Sequence, residues 1–250
     1  MNYSTTNDQS IIVIDQGNTL IKLVLFTSDE IRWFKIYKEL TSIEAEKIES
    51  ELENVNYGII SSVSASPEKI TNLFKRIKWT ILSNNTPVPV KITYKTPQSL
   101  GKDRLAGVVA ASDMYPGKDI LVIDAGTAIT CDIITRYKEY PGGSISPGLT
   151  MRFKALNTFT GRLPLLEITD YTDLTGRDTN ESILSGVMNG AYFEIEGFIS
   201  KYRELYPELI TVLTGGDANY FDRNVKSDIF VVPNLVANGL KLILQYNLEK

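Results

Sequence analysis

Two stretches of this chain are near copies of one another, half a chain apart. The first is IIVIDQGNTLIKLVLF, from Ile11 to Phe26; the second is ILVIDAGTAITCDIIT, from Ile120 to Thr135. Aligned, Asp15 meets Asp124 and Gly17 meets Gly126. Each copy reads as an apolar strand, an aspartate, a glycine turn, small polar residues and a returning strand. A repeated unit of this kind predicts two similar α/β halves. The linker is expected near Tyr115–Lys118, where Pro116 and Gly117 interrupt helix, giving halves of 1–115 and 116–250.

The remaining pattern fits that plan. Strands are expected over Ile31–Tyr37, Tyr57–Ser61, Thr80–Leu82, Val90–Thr93, Ile210–Leu213 and Ile229–Val231. Helices are expected over Ser42–Leu52, Pro67–Lys75, Asp103–Met114, Thr150–Phe159, Asn180–Leu205 and Val236–Tyr246. Pro141–Leu149 (PGGSISPGL) reads as a glycine- and proline-rich loop. MNYSTTNDQS reads as a polar tail without the features of a signal peptide.

Composition narrows the chemistry. With 250 residues and 43% hydrophobic content, the chain can bury a substantial core. A net charge of −4 argues against nucleic-acid binding, and no apolar run is long enough to cross a bilayer. There is no histidine, which rules out Ser–His and Cys–His nucleophile pairs and histidine zinc sites. The one cysteine, Cys131, reads as a buried strand residue and suits a reducing cytoplasm.

A strand-end aspartate beside a glycine turn supports specific chemistry. Turn N–H groups and the hydroxyls of Thr19 and Thr127 can donate to phosphate oxygens. Asp15 and Asp124 would repel phosphate unless a cation lies between them. A single copy would read as a turn-stabilising Asp; two aligned copies favour a polyphosphate clamp. No P-loop and no strand-linked G-x-G-x-x-G is present. TGGDAN, from Thr214, offers a third glycine turn, a weak sign on its own. Gly101, Asp103 and Arg104 cluster where a loop becomes a helix. Asp103 there is either a proton acceptor for a hydroxyl, with Arg104 on an anion, or a helix-start aspartate, with Arg104 in a salt bridge.

In order, DQGNT with Lys22, PQSLGKDR, DAGTAIT, GGSISPGL and TGGDA resemble the motifs of type III pantothenate kinases, members of the acetate and sugar kinase/Hsc70/actin superfamily. The resemblance runs nearly the whole chain from Ile11. It implies two ribonuclease-H-like (actin-like ATPase) domains, each a mixed sheet with flanking helices, and phosphorylation of pantothenate by Mg-ATP in coenzyme A synthesis. It implies ATP contacts from Asp15, Gln16, Gly17, Asn18, Thr19, Lys22 and Thr127, with Asp15 also near magnesium. Asp124 would hold a monovalent cation, potassium or ammonium. Asp103 would be the catalytic proton acceptor, and Tyr94, Gly101, Lys102, Asp103, Arg104 and Thr179 would contact pantothenate. A cytoplasmic homodimer is implied. Gln16, Leu105 and the longer tail depart from the family pattern. The rival functions are another phosphotransferase, a phosphatase, or a non-catalytic transcription accessory factor of the same fold.

Overall fold

The computed structural model describes residues 10–17, 19–63, 66–170 and 173–250. In chain order the strands are β1 (Ser10–Gln16), β2 (Ile21–Thr27), β3 (Glu30–Tyr37), β4 (Val55–Ser62), β5 (Lys78–Ile81), β6 (Lys91–Ile92), β7 (Ile120–Ala125), β8 (Ala128–Ile134), β9 (Glu139–Tyr140), β10 (Gly142–Pro147), β11 (Ile210–Thr214) and β12 (Phe230–Val231). The helices are α1 (Ser42–Glu49), α2 (Glu68–Thr71), α3 (Lys102–Met114), α4 (Leu149–Phe159), α5 (Thr179–Leu184), α6 (Gly190–Leu205), α7 (Ala218–Asn224) and α8 (Leu235–Leu248).

The repeat in sequence is a repeat in topology. One five-stranded sheet runs β3-β2-β1-β4-β5 and the other β10-β8-β7-β11-β12. In each, the central strand pairs antiparallel with its hairpin partner and parallel with the strand on its other side. Ile11–Ile14 and Ile120–Ile123 are continuous apolar runs because both faces of a central strand are covered. Ile12, Ile14, Leu23, Leu25, Ile48 and Phe74 are among the residues of one core; Ile123, Ile129, Phe153, Ile195 and Phe221 belong to another.

The chain divides into two compact units, and neither is continuous. The first comprises 1–89, 96–110 and 236–250; the second comprises 90–95 and 111–235. A single cut at 115/116 differs from this division in three places: residues 111–115, at the end of α3, group with the second unit, and the other two differences have a physical cause. Helix α8 belongs with the first unit, where Leu240, Ile243 and Leu244 are buried and Lys241 Nζ bonds Asp29 Oδ1 at 2.8 Å. The short strand β6 belongs with the second unit because it pairs with β9.

Several local expectations are corrected. Pro141–Leu149 is not a loop: β10 forms the edge of the second sheet, paired with β8 from Gly142↔Ile133 to Pro147↔Ala128. Its glycines and proline are tolerated at an edge, where one side of the strand needs no ladder bonds. The helix expected over Pro67–Lys75 is only α2, followed by three-residue turns such as Leu73 N–H to Ile70 O. The helix expected over Asn180–Leu205 is broken by a π-helical turn at Ser185–Asn189. That turn is braced from outside, by Ser185 Oγ donating to Leu174 O and Asn189 Nδ2 donating to Asp173 O. Helix α1 starts where expected because Thr41 and Glu44 form a capping box.

Candidate active site

In the first unit, β1 carries its apolar run to Asp15, whose side chain keeps 17% of its surface exposed. Lys22 stands opposite on β2, in register, with Nζ 4.0 Å from Asp15 Oδ2. The turn between them closes with Gly17 N–H donating to Leu20 O at 3.0 Å. Asn18 lies outside the described residues. Burial pushes the Asp15 carboxyl above its ordinary range; Lys22 pulls it down, and Asp103 pushes it up again. Asp15 and Asp103 are therefore near enough to feel one another's charge, although 88 positions separate them in the sequence. Two carboxylates in mutual repulsion favour a cation nearby.

Asp103 is in the first turn of α3. Its Oδ1 accepts from Arg104 N–H at 2.8 Å and folds back over Gly101. Lys102 Nζ donates to Ser62 O at 3.1 Å. Arg104 is buried, at 8% exposure. Asp15, Gln16, Gly17, Lys22, Lys102, Asp103 and Arg104 thus all belong to the first unit.

The second unit holds the other hairpin. Asp124, one residue before the end of β7, lies between Thr130 of β8 and Thr214 of β11, the position Asp15 has between Lys22 and Ser61. The turn is held by Gly126 N–H to Ala128 O and by Gly148 N–H to Thr127 O, both 3.0 Å. Gly215, at φ +103°, passes Ala125 so closely that a Cβ there would be 2.3 Å from its carbonyl oxygen. Asp217, in the same TGG turn, has its carboxyl pushed up by burial.

Tyr94 and Thr179 also belong to the second unit. Thr93 N–H donates to Tyr140 O at 2.9 Å, and the Tyr94 ring lies against Gly142, where a Cβ would be 2.6 Å from Cδ2. Thr179 opens α5 behind the N-cap Asp178, which accepts from Glu181 N–H at 2.8 Å. It lines a cavity of about 1080 Å³ with Arg152, Leu156, Phe159, Arg177 and Val187.

Sequence reading missed two groupings. Ser146, Arg152 and Glu194 are joined by hydrogen bonds and an ion pair from β10, α4 and α6. Ser62 links Gln16 to Lys102. Neither has a local signal, because each depends on residues distant in sequence.

A paired-oxygen donor set suits a divalent metal that takes one or two carboxylates and completes its shell with phosphate and water. Among the described residues no group of three or more metal-ligating side chains gathers. Within the first unit, the Gly17 turn, Lys22 and the carboxylates are groups that can position phosphate oxygens and accept a proton, parts that phosphoryl transfer needs.

Residues 11–201 match the family model of type III pantothenate kinase. The chain belongs to that family. A type III pantothenate kinase from Phocaeicola vulgatus is 43% identical over 239 residues, covering 94% of this chain and 98% of its own. One from Cytophaga hutchinsonii is 40% identical, covering 94% and 99%. Among solved structures, a Campylobacter jejuni protein described as a conserved Baf family member aligns with TM-score 0.64 at 22% identity, over 96% of this chain and 100% of its own. A glucokinase from an Antarctic psychrotroph aligns with TM-score 0.52 at 11% identity, over 95% and 99%. At those identities the structures speak for the fold alone: the kinase shares the two-sheet architecture of actin-like ATPases and sugar kinases.

Proposed function

We propose that this pantothenate kinase transfers the γ-phosphoryl group of ATP to the primary hydroxyl of pantothenate, with Asp103 as proton acceptor. The observation that carries the assignment of Asp103 is its placement in the first turn of α3, within electrostatic reach of Asp15.

In phosphoryl transfer the protein mainly positions groups and offsets charge. The N–H groups of the Asp15–Lys22 turn, the Thr19 hydroxyl and the Lys22 ammonium receive phosphate oxygens. Thr127 does the same from the second hairpin. Asp15 would lie near a bound magnesium ion, which would supply charge neutralisation to the phosphates. Asp103 takes the hydroxyl proton, a carboxylate being the base available in a chain without histidine. Arg104 holds the substrate carboxylate as a charge-assisted pair. Tyr94, Gly101, Lys102 and Thr179 complete the alcohol side, and Asp124 carries a monovalent cation, potassium or ammonium.

We place the enzyme in the cytoplasm, where ATP is available and a single thiol stays reduced. No helix among the described residues is long and apolar enough to cross a membrane. A homodimer is supported by apolar side chains on the second unit: Phe159 is 86% exposed, and Met151, Leu165 and Phe193 are exposed as well.

The test is ADP release with magnesium, ATP and pantothenate, in potassium, ammonium or sodium. Pantothenate-dependent turnover that chelation abolishes, and that Asp103→Asn lowers by about 10²–10⁴-fold while staying folded, is expected. ATP turnover indifferent to pantothenate would point to a phosphatase or another kinase. Light scattering over a dilution series tests the dimer.

A further inference from the structure

The end of β1 makes a connection that phosphate binding does not require. Gln16 and Ser62 are register partners, the last residues of β1 and β4. Ser62 is buried, and its Oγ donates to Gln16 Oε1 at 2.7 Å. The backbone joins at the same place, with Val63 N–H donating to Gln16 O at 3.1 Å. The carbonyl of this same Ser62 accepts from Lys102 Nζ at 3.1 Å. Lys102 is the first residue of α3, immediately before Asp103.

These contacts form one line from the phosphate turn to the start of α3. The Ser62–Gln16 hydrogen bond ties residue 62 to the end of β1, and with it the backbone carbonyl that Lys102 uses. A lysine ammonium on a long flexible stem needs such a fixed oxygen to keep one position. An apolar side chain at position 16 offers no acceptor, so residue 62 would lose this tie to β1 and the carbonyl that Lys102 uses would be held less firmly.

We propose that Gln16 is a positioning residue: through Ser62 it fixes Lys102, and so sets the alcohol-binding side of the site from the end of the ATP-binding strand. This rests on the assignment of Lys102, Asp103 and Arg104 to the pantothenate side. Gln16 need not touch either substrate with its side chain to act in this way.

The test is steady-state kinetics on Gln16→Val, Ser62→Ala, Lys102→Met and the Gln16→Val/Ser62→Ala and Gln16→Val/Lys102→Met combinations. Gln16→Val should raise KM for pantothenate about five-fold, the effect of losing one hydrogen bond, with KM for ATP and kcat moving by less than about two-fold. Ser62→Ala should reproduce that split, and the Gln16→Val/Ser62→Ala pair should add less than about two-fold to either. Gln16→Val should add equally little in the Lys102→Met background. Additive effects in both pairs overturn the proposal, as does a rise in KM for ATP alone or a fall in kcat that tracks a lowered melting temperature. If Gln16→Val does not fold, Ser62→Ala against Lys102→Met decides the question on the same criterion. Absence of pantothenate-dependent turnover in the unmodified enzyme would instead overturn the functional assignment beneath the proposal.

Discussion

The Cβ that any other side chain would carry at position 101 lies 2.6 Å from Asp103 Oδ1. The carboxylate proposed as the base therefore occupies space that only glycine leaves open. Gly101→Ala should displace it without disturbing the packed face of α3, where Ala106, Val108 and Ala110 are buried. We expect kcat to fall about 10–100-fold, as small misplacements of a reacting group do, with a melting temperature within a few degrees of the parent. Unchanged kcat would show that the carboxylate position is not critical.

Asp15 makes stability depend on pH in the less common direction for a carboxylate. Its pKa in the folded chain is raised, mainly by burial, with Lys22 opposing and Asp103 adding to the rise. Above about pH 4 the native state keeps the proton longer than the unfolded chain does. Stability then falls as pH rises through the raised value, and the cost persists at neutrality. Asp15→Asn, without nucleotide, should melt higher than the parent at pH 7, and the gap should close near pH 4. An equal or lower melting temperature at pH 7 counts against the burial effect.

Gly215 combines φ +103° with a hypothetical Cβ 2.3 Å from the Ala125 carbonyl oxygen. Gly215→Ala meets both backbone strain and backbone overlap, neither of which a side-chain rotation relieves. We expect a loss of about 3 kcal/mol or more in denaturant unfolding. A loss below about 1 kcal/mol would mean that β11 and β7 separate more easily than their register implies.

Burial pushes the Cys131 thiol up to about 12, against a hydrogen bond with Ser144 that lowers it. The thiol stays protonated and enclosed at pH 8. Native protein should give almost no reaction with an aromatic disulfide reagent in minutes, and one thiol per chain after denaturation. Rapid stoichiometric labelling of the native protein would contradict this.

Much of the frame was legible in the sequence because its signals are local. A buried central strand is a run of apolar residues, and Asp-x-Gly ends it whatever lies elsewhere; Ile11–Asp15 and Ile120–Asp124 needed nothing more. The start of α1 at Ser42 was legible from the helical spacing of its apolar residues. Pro141–Leu149 misled because glycine and proline are turn formers in isolation and acceptable in an edge strand once β8 is beside them. The break at Ser185–Asn189 escaped notice because bonds from residues 173 and 174 stabilise the π turn, and helical periodicity does not record them.

The sequence by itself determined the two strand–turn–strand repeats, the family and the set of residues available for chemistry. Only the tertiary structure decided which of them meet. Asp15 senses Asp103, and Gln16 connects to Lys102 through Ser62, because β1 lies parallel to β4 and α3 starts beside their ends. Helix α8 completes the first unit although the second unit's strands precede it. Pairing register and packing set such proximities between residues far apart in sequence, and no local pattern specifies them.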